Sequence, residues 1–162
     1  MASHVVIRAA TRADVDLLVA FTLREGHEAE GVQLDAADVR RGVEAAFGDP
    51  PRSRYWVAEE SGGQVLASTS IVTEWSDFHG GDYWWVQSVF IVPEHRGTGL
   101  LKLLLDHLAG AASAAGALDL RLYAHRDNER ALRAYERCGF TMAPYVILRR
   151  DGRQSPPPST PA

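Results

Sequence analysis

The sequence predicts an α/β (α+β) domain, a mixed, largely antiparallel sheet with helices on both faces. Three observations lead there. Two β-rich runs, residues 55–59 and 65–73, are joined by Ser61-Gly62-Gly63, which reads as a hairpin turn. The stretch 87–104 passes from the apolar run Val89-Phe90-Ile91-Val92, through glycines, into a helical period. Residues 118–124 then alternate like a strand, so this helix is the crossover of a right-handed β-α-β unit. Helices placed between strands in this way cover both sheet faces.

In chain order, residues 5–9 read as a first strand. Thr11 with Asp14 is a capping-box-like start for a helix through about Leu23, with Val15, Leu18 and Phe21 on its apolar side. Residues 24–34 are polar and read as turn, carrying Glu25, His27, Glu28 and Glu30. Asp35 with Asp38 starts a second helix through about Phe47, closed by Gly48-Asp49-Pro50-Pro51. After the hairpin, residues 75–82 read as a loop and 83–92 as a strand, stopped by Pro93 because proline has no N–H to give a ladder. Leu101, Leu104, Leu105, Leu108, Ala112 and Ala115 lie on one face of the helix that follows, which ends near Gly116. Asn128 opens another helix, and residues 144–149 read as a last strand. Residues 1–150 are thus expected to form one domain and 151–162, rich in proline, a disordered tail.

Composition narrows the function classes. A net charge of −4 over 162 residues argues against a dedicated nucleic-acid binder. No apolar run reaches the 18 or so residues of a membrane span, and the N-terminus lacks a signal-peptide layout. The expectation is therefore a cytoplasmic protein with no membrane partner. One cysteine, Cys138, excludes an intrachain disulfide and reads as an inert, mostly buried thiol. His4, His27, His79, His95, His107 and His125 have no close ligand spacing, so no metal site is expected.

The chemistry-bearing stretches are Arg96-Gly97-Thr98-Gly99, between a strand and a helix, and residues 128–140. The first is a device for anions: a helix start offers unpaired N–H groups and partial positive charge, and glycines allow close approach. The second has the form N-x-x-A-x-x-x-Y-x-x-x-G-F. Together with V-x-x-x-R-G-x-G upstream, this resembles the GCN5-related N-acetyltransferase (GNAT) family, over roughly residues 5–149. The sequence departs from the family's R-x-x-G-x-G/A in ending on Leu101.

The resemblance implies the acyl-CoA N-acyltransferase fold, in which the strands at 83–92 and 118–124 splay apart around acetyl-CoA. Val89, Phe90 and Ile91 would pair with the pantetheine arm through their backbone, as in strand addition. The amides of Gly97, Thr98, Gly99, Leu100, Leu101 and Lys102 would take the pyrophosphate, with Arg96 and Lys102 adding charge. Tyr135 matches the family's general acid, and Asn128 its asparagine, a residue that also suits a helix cap. The implied reaction moves an acetyl group from a thioester to a primary amine of a small molecule or of a protein. It needs a neutral amine, whereas an alkylamine like lysine has a reference pKa of about 10.4.

No general base is assigned. The place where the family often puts glutamate falls near Gln87, which cannot take a proton but can orient water or substrate. Glu74, Asp77, Asp82, Glu28 and Glu30 are the acids within sequence reach of the site. Glu28, Trp75 and Gln87 are the candidate acceptor contacts, Trp75 belonging to an aromatic group with Tyr83, Trp84 and Trp85. The missing glutamate and Leu101 keep a second reading open, a non-catalytic acyl-CoA-binding or sensing module. A third, with Leu101 blocking the pocket, is a dimerisation unit only. The oligomeric state stays open, a homodimer included.

Overall fold

A computed structural model of the protein describes residues 4–150; the expected tail at 151–162 lies outside the described residues. Among the described residues, five strands form one sheet in the order β1-β2-β3-β4-β5: β1 Val5–Ala9, β2 Arg54–Glu60, β3 Val65–Ser76, β4 Gly81–Ile91 and β5 Asp119–Leu122. The first four pair antiparallel and β5 runs parallel to β4, so the sheet is mixed and largely antiparallel. The helices are α1 Val15–Glu30, α2 Ala36–Glu44, α3 Leu100–Ala114 and α4 Glu129–Arg137.

Alternation along the strands sends side chains to two cores. On one face Val57 packs with Leu18 and Val19 of α1 and Val43 of α2. On the other, Ile71, Trp84 and Val86 pack with Leu105, Leu108 and Ala112 of α3, flanked by Tyr135 of α4 and by Cys138, which caps the end of α4. Trp84 and Trp85 accordingly face opposite ways, Trp84 in this core and Trp85 stacked on Tyr123.

Local signals set the helix starts. The Thr11–Asp14 capping box forms, around a 3₁₀ turn at Arg12–Asp14 that leads into α1. Asp35 caps α2 by accepting from the Asp38 N–H at 2.9 Å, and Asn128 caps α4 by accepting from the Ala131 N–H at 3.1 Å. The second helix ends at Glu44, and a 3₁₀ turn carries it to Phe47.

Three expectations need correction. Residues 24–30 are not turn: α1 continues to Glu30, held by the Arg24–Glu28 pair one turn apart, and stops at Gly31 with φ 64°. Residues 75–82 are not a long loop: β3 and β4 continue as a ladder to Ser76↔Gly81, and only four residues turn between them. Their polar residues misled because an antiparallel pair tolerates water on one face. The strand expected at 144–149 is not formed; Tyr145, Val146, Ile147 and Leu148 are 69–90% exposed. Strand composition makes no strand without a neighbour to complete the ladder.

The feature that positions the site is a β-bulge. Ser70 pairs with Ser88 but Ile71 with Val86, so Gln87 is the extra residue in β4. Before it Trp84 and Val86 face α3; after it Val89 and Ile91 do, while Phe90 turns to α1 and meets Phe21 at 4.6 Å between ring centroids. Pairing with β5 stops at Val86↔Leu122, although β4 goes on to Ile91. Beyond the bulge the two parallel strands have parted.

Candidate active site

Where the strands part, a cleft of about 990 Å³ opens, walled by β4, the loop before α3, the C-terminal half of α1, and α4. Val89, Phe90 and Ile91 all line it, although most of the Phe90 side chain is buried against Phe21. The free edge of β4 is partly in use. Val89 donates its N–H to Glu25 Oε1 at 3.0 Å, and the Ile91 carbonyl accepts from Arg96 Nε at 2.9 Å.

The glycine loop behaves as its sequence requires. Gly97 and Gly99 have φ of 79° and 91°, in the left-handed region that suits glycine. A Cβ built at either meets nothing within 4 Å, so the space above this loop is open. Helix α3 starts at Leu100, and the Leu103 N–H bonds the Gly99 carbonyl at 3.1 Å. The amides ahead of Leu103 are those a helix cannot satisfy internally. The loop therefore fits a phosphate-bearing ligand. Thr98 uses its hydroxyl within the loop, donating to the His95 carbonyl at 2.7 Å. Leu100, the first residue of α3, is buried in the cluster with Ala58, Leu66 and Ala67 and offers only its backbone. Leu101 packs against the core and lines the cleft without filling it.

Cationic side chains surround this end. Arg96, Lys102, Arg130 and Arg137 line the cleft, the last two not singled out by the sequence. Arg96 pairs with Glu28, whose carboxyl it holds below the ordinary range, and Lys102 pairs with Asp106 at 2.6 Å. Both pairs are solvated and exchangeable, so neither holds its cation firmly.

Tyr135 stands at the other end, half-buried and edge-on to Phe140 at 6.0 Å. Burial raises its phenol above the ordinary tyrosine range, so the proton stays on. Asn128, beside it, lines the cleft from the start of α4. Cys138 lines the cleft one turn along and is half-buried rather than mostly buried. Burial pushes its thiol up against the opposing pull of Lys102.

A second cavity, about 130 Å³, adjoins the first; Glu25, Val89, Asn128 and Tyr135 line both. Gln87, exposed on the bulge, lines this smaller space with Glu30, Ser88 and Tyr123. Trp75 lies elsewhere, on β3 opposite Asp82 and 64% exposed, and lines neither cavity; Glu74, Asp77 and Asp82 line neither as well. Glu28 lines the large cleft.

Sequence reasoning missed Glu25 as a site residue. It carries the one carboxylate that both cavities share, and burial pushes its carboxyl above the ordinary glutamate range. A signal existed: Leu18, Phe21 and Glu25 follow helical spacing, so extending the helix puts Glu25 on its buried stripe. Among the described residues, no group of three or more His, Cys, Asp or Glu is arranged to hold a metal ion, and no helix is long and apolar enough to cross a membrane.

Comparison with known proteins agrees with this geometry. A family model described as acetyltransferase (GNAT) family matches residues 18–140. Over 113 residues, 67% of this chain, the sequence is 33% identical to a mycothiol acetyltransferase from Corynebacterium aurimucosum, and the match spans 36% of that protein. The chain thus matches little more than a third of that relative's length. Among solved structures, a "possible acetyltransferase from Clostridium difficile 630" superposes with a TM-score of 0.86 at 26% identity, covering 93% of this chain and 99% of that one. A "predicted acetyltransferase with acetyl-CoA from Clostridium acetobutylicum" shares the fold, with a TM-score of 0.71 at 21% identity over 90% of this chain and 96% of that one.

Proposed function

Because the chain belongs to the acetyltransferase (GNAT) family, we propose that it is an N-acetyltransferase that moves the acetyl group of acetyl-CoA directly to a primary amine, on a small molecule or an exposed amino group. The observation that carries this reading is the parting of β4 from β5 at the Gln87 bulge, with a cleft along the freed edge of β4 that reaches the open glycine loop at the start of α3. An extended, amide-bearing arm suits the free edge of β4, and a diphosphate suits the loop.

In this reading Val89, Phe90 and Ile91 bind the pantetheine arm through their backbone. The amides of Gly97 to Lys102 hold the pyrophosphate, with Arg96 and Lys102 released from their solvated partners and Arg130 and Arg137 at the rim. Acetyl-CoA supplies the activated thioester. Tyr135 holds its proton until the sulfur leaves and then gives it up, a role its raised pKa suits. Asn128 fixes the start of α4 and with it the distance of Tyr135 from the cleft. Residues 1–150 act as one domain, in a reducing cytoplasm that suits a lone thiol.

The test is acetyl-CoA binding followed by amine-dependent release of free CoA. A hundredfold excess over the dissociation constant should stabilise the protein by about 2.7 kcal/mol in thermal unfolding. Tyr135→Phe should lower kcat by about 10²–10⁴-fold and leave that stabilisation intact. Binding without CoA release to any amine would favour the acyl-CoA-binding module instead. Absence of stabilisation would end both readings.

A further inference from the structure

We propose that Glu25 is the general base of this transfer, and that the small cavity beside it seats the ammonium end of a small cationic acceptor. The inference rests on the acetyltransferase reading and deepens it, since that reading leaves the base and the acceptor seat unassigned.

Position is the first argument. Glu25 stands where the two cavities meet, in a wall shared with Val89 and Tyr135. An acid that serves both the amine and the thioester has to stand at such a junction. The other nearby carboxylates do not: Glu28, tied to Arg96, and Asp127, beside His125, line only the large cleft, and Glu30 lines only the small cavity. Gln87 on the bulge has no basic site to offer.

Chemistry is the second. Glu25 accepts a single hydrogen bond, from the Val89 N–H at 3.0 Å, and among the described residues no lysine or arginine pairs with it. A half-desolvated carboxylate without a cation is a seat for an incoming one. The cavity supports that charge: Glu30 adds a second carboxylate, Gln87 and Ser88 add polar groups, and Tyr123, stacked on Trp85 at 4.4 Å, adds a rigid aromatic wall. The titratable groups whose charge bears on Glu25 are Glu30 on α1, Tyr55 on β2 and Tyr135 on α4, and Tyr123 and His125 beyond β5 line the small cavity with it. None of these tyrosines neutralises it, so the carboxylate is held at a cost that a bound ammonium offsets.

The step balances as follows. Glu25 takes one proton from the ammonium and frees the nitrogen lone pair. That pair forms the new C–N bond to the acetyl carbon, and the C–S bond breaks. The departing sulfur takes the Tyr135 proton, and the phenolate recovers a proton from the acylated nitrogen through water. Glu25 returns its own proton to solvent. Val89 meanwhile exchanges Glu25 for the acetyl oxygen, so one N–H serves the carboxylate before binding and the developing negative charge afterwards.

The experiment compares wild type, Glu25→Gln and Glu25→Asp with putrescine, histamine, tyramine and glucosamine as acceptors, reading CoA release against pH. Wild-type kcat/KM should fall as pH drops through the Glu25 ionisation, above the ordinary carboxylate range. Glu25→Gln should lose about 10²–10⁴-fold and lose that acid limb, while Glu25→Asp keeps the limb at reduced rate. A readout without acetyl-CoA checks the same group. Its raised pKa means that ionised Glu25 burdens the fold as pH rises past that value, so Glu25→Gln should melt higher than wild type at pH 7 and lose the advantage in acid. An unchanged acid limb in Glu25→Gln, or a lower melting temperature at pH 7, overturns the base assignment in favour of a structural contact to Val89. Acetyl-CoA stabilisation with transfer to none of the four amines overturns the acceptor seat. No acetyl-CoA stabilisation at all strikes the acetyltransferase reading itself.

Discussion

Asp14 illustrates how much one enclosed side chain can do for this fold. Its carboxylate accepts from Arg8 at 2.9 Å through both oxygens, and from the Thr11 N–H at 2.7 Å, so it ties β1 to the start of α1. The Arg8 hydrogen bond, opposed by burial, brings its pKa down to about 2 from 3.8. Asp14 is 10% exposed and Arg8 35%, so the interaction is counted once, from the Asp14 side. A shift of this size corresponds to about 2 kcal/mol. Because the folded pKa is the lower one, this stability is full above the unfolded pKa near 4 and disappears as pH falls through about 2. Asp14→Asn should therefore unfold about 2 kcal/mol more easily at pH 7 in urea. It should also show a flatter stability profile between pH 4 and 2. Asp14 was legible as a capping residue because Thr11 and Asp14 stand three apart in the chain. Its pairing with Arg8 was not, since β1 meets it only in the folded sheet.

Among the elements, α3 depends on the residue just before its start. Gly99 caps it in a left-handed conformation, with open space where a Cβ would sit. Gly99→Ala should cost about 1–2 kcal/mol of stability from the backbone alone. The added methyl also enters the space over the loop where a diphosphate would lie. The acetyl-CoA dissociation constant should then rise on the order of tenfold or more, beyond what the stability change accounts for, as titration calorimetry would read it. A variant that loses stability but binds acetyl-CoA as wild type does would remove this loop from the binding site. The strand–glycine–helix order was readable because turn chemistry and a change of period are local. The extension of α1 to Glu30 was not. After Leu23 its residues are mostly polar, and Glu25, Glu28 and Ala29 line the cleft, so the end of the helix carries no apolar stripe to read. The Gln87 bulge was equally hidden: one extra residue in β4 exists only relative to the register of β3.

For the whole molecule, charge is distributed against its average. The chain carries −4, yet Arg96, Lys102, Arg130 and Arg137 gather along one cleft. Acetyl-CoA binding should weaken with salt, because raising ionic strength from 0.1 to 1 M shortens the screening length from about 10 to about 3 Å. Acetyl-pantetheine, which keeps the thioester and lacks the phosphates, should bind more weakly and respond little to salt. Equal salt sensitivity of the two would move the cationic group away from the phosphate end. Net charge could not reveal this gathering, since α3, α4 and the loop that supply these residues come together only through the crossover after β4.

The sequence by itself determined the parts whose causes are near in the chain. These are the caps at Thr11, Asp35 and Asn128, the hairpin at Ser61 to Gly63, the alternation that sends Trp84 and Trp85 to opposite faces, and the glycine loop. Tertiary structure decided the parts that are relations between elements: where β4 leaves β5, which carboxylate meets both cavities, and whether the apolar residues at 144–149 find a ladder. A cap or a turn is satisfied by groups a few residues away. A cleft is made by pairing that stops, and only the assembled sheet fixes where it stops.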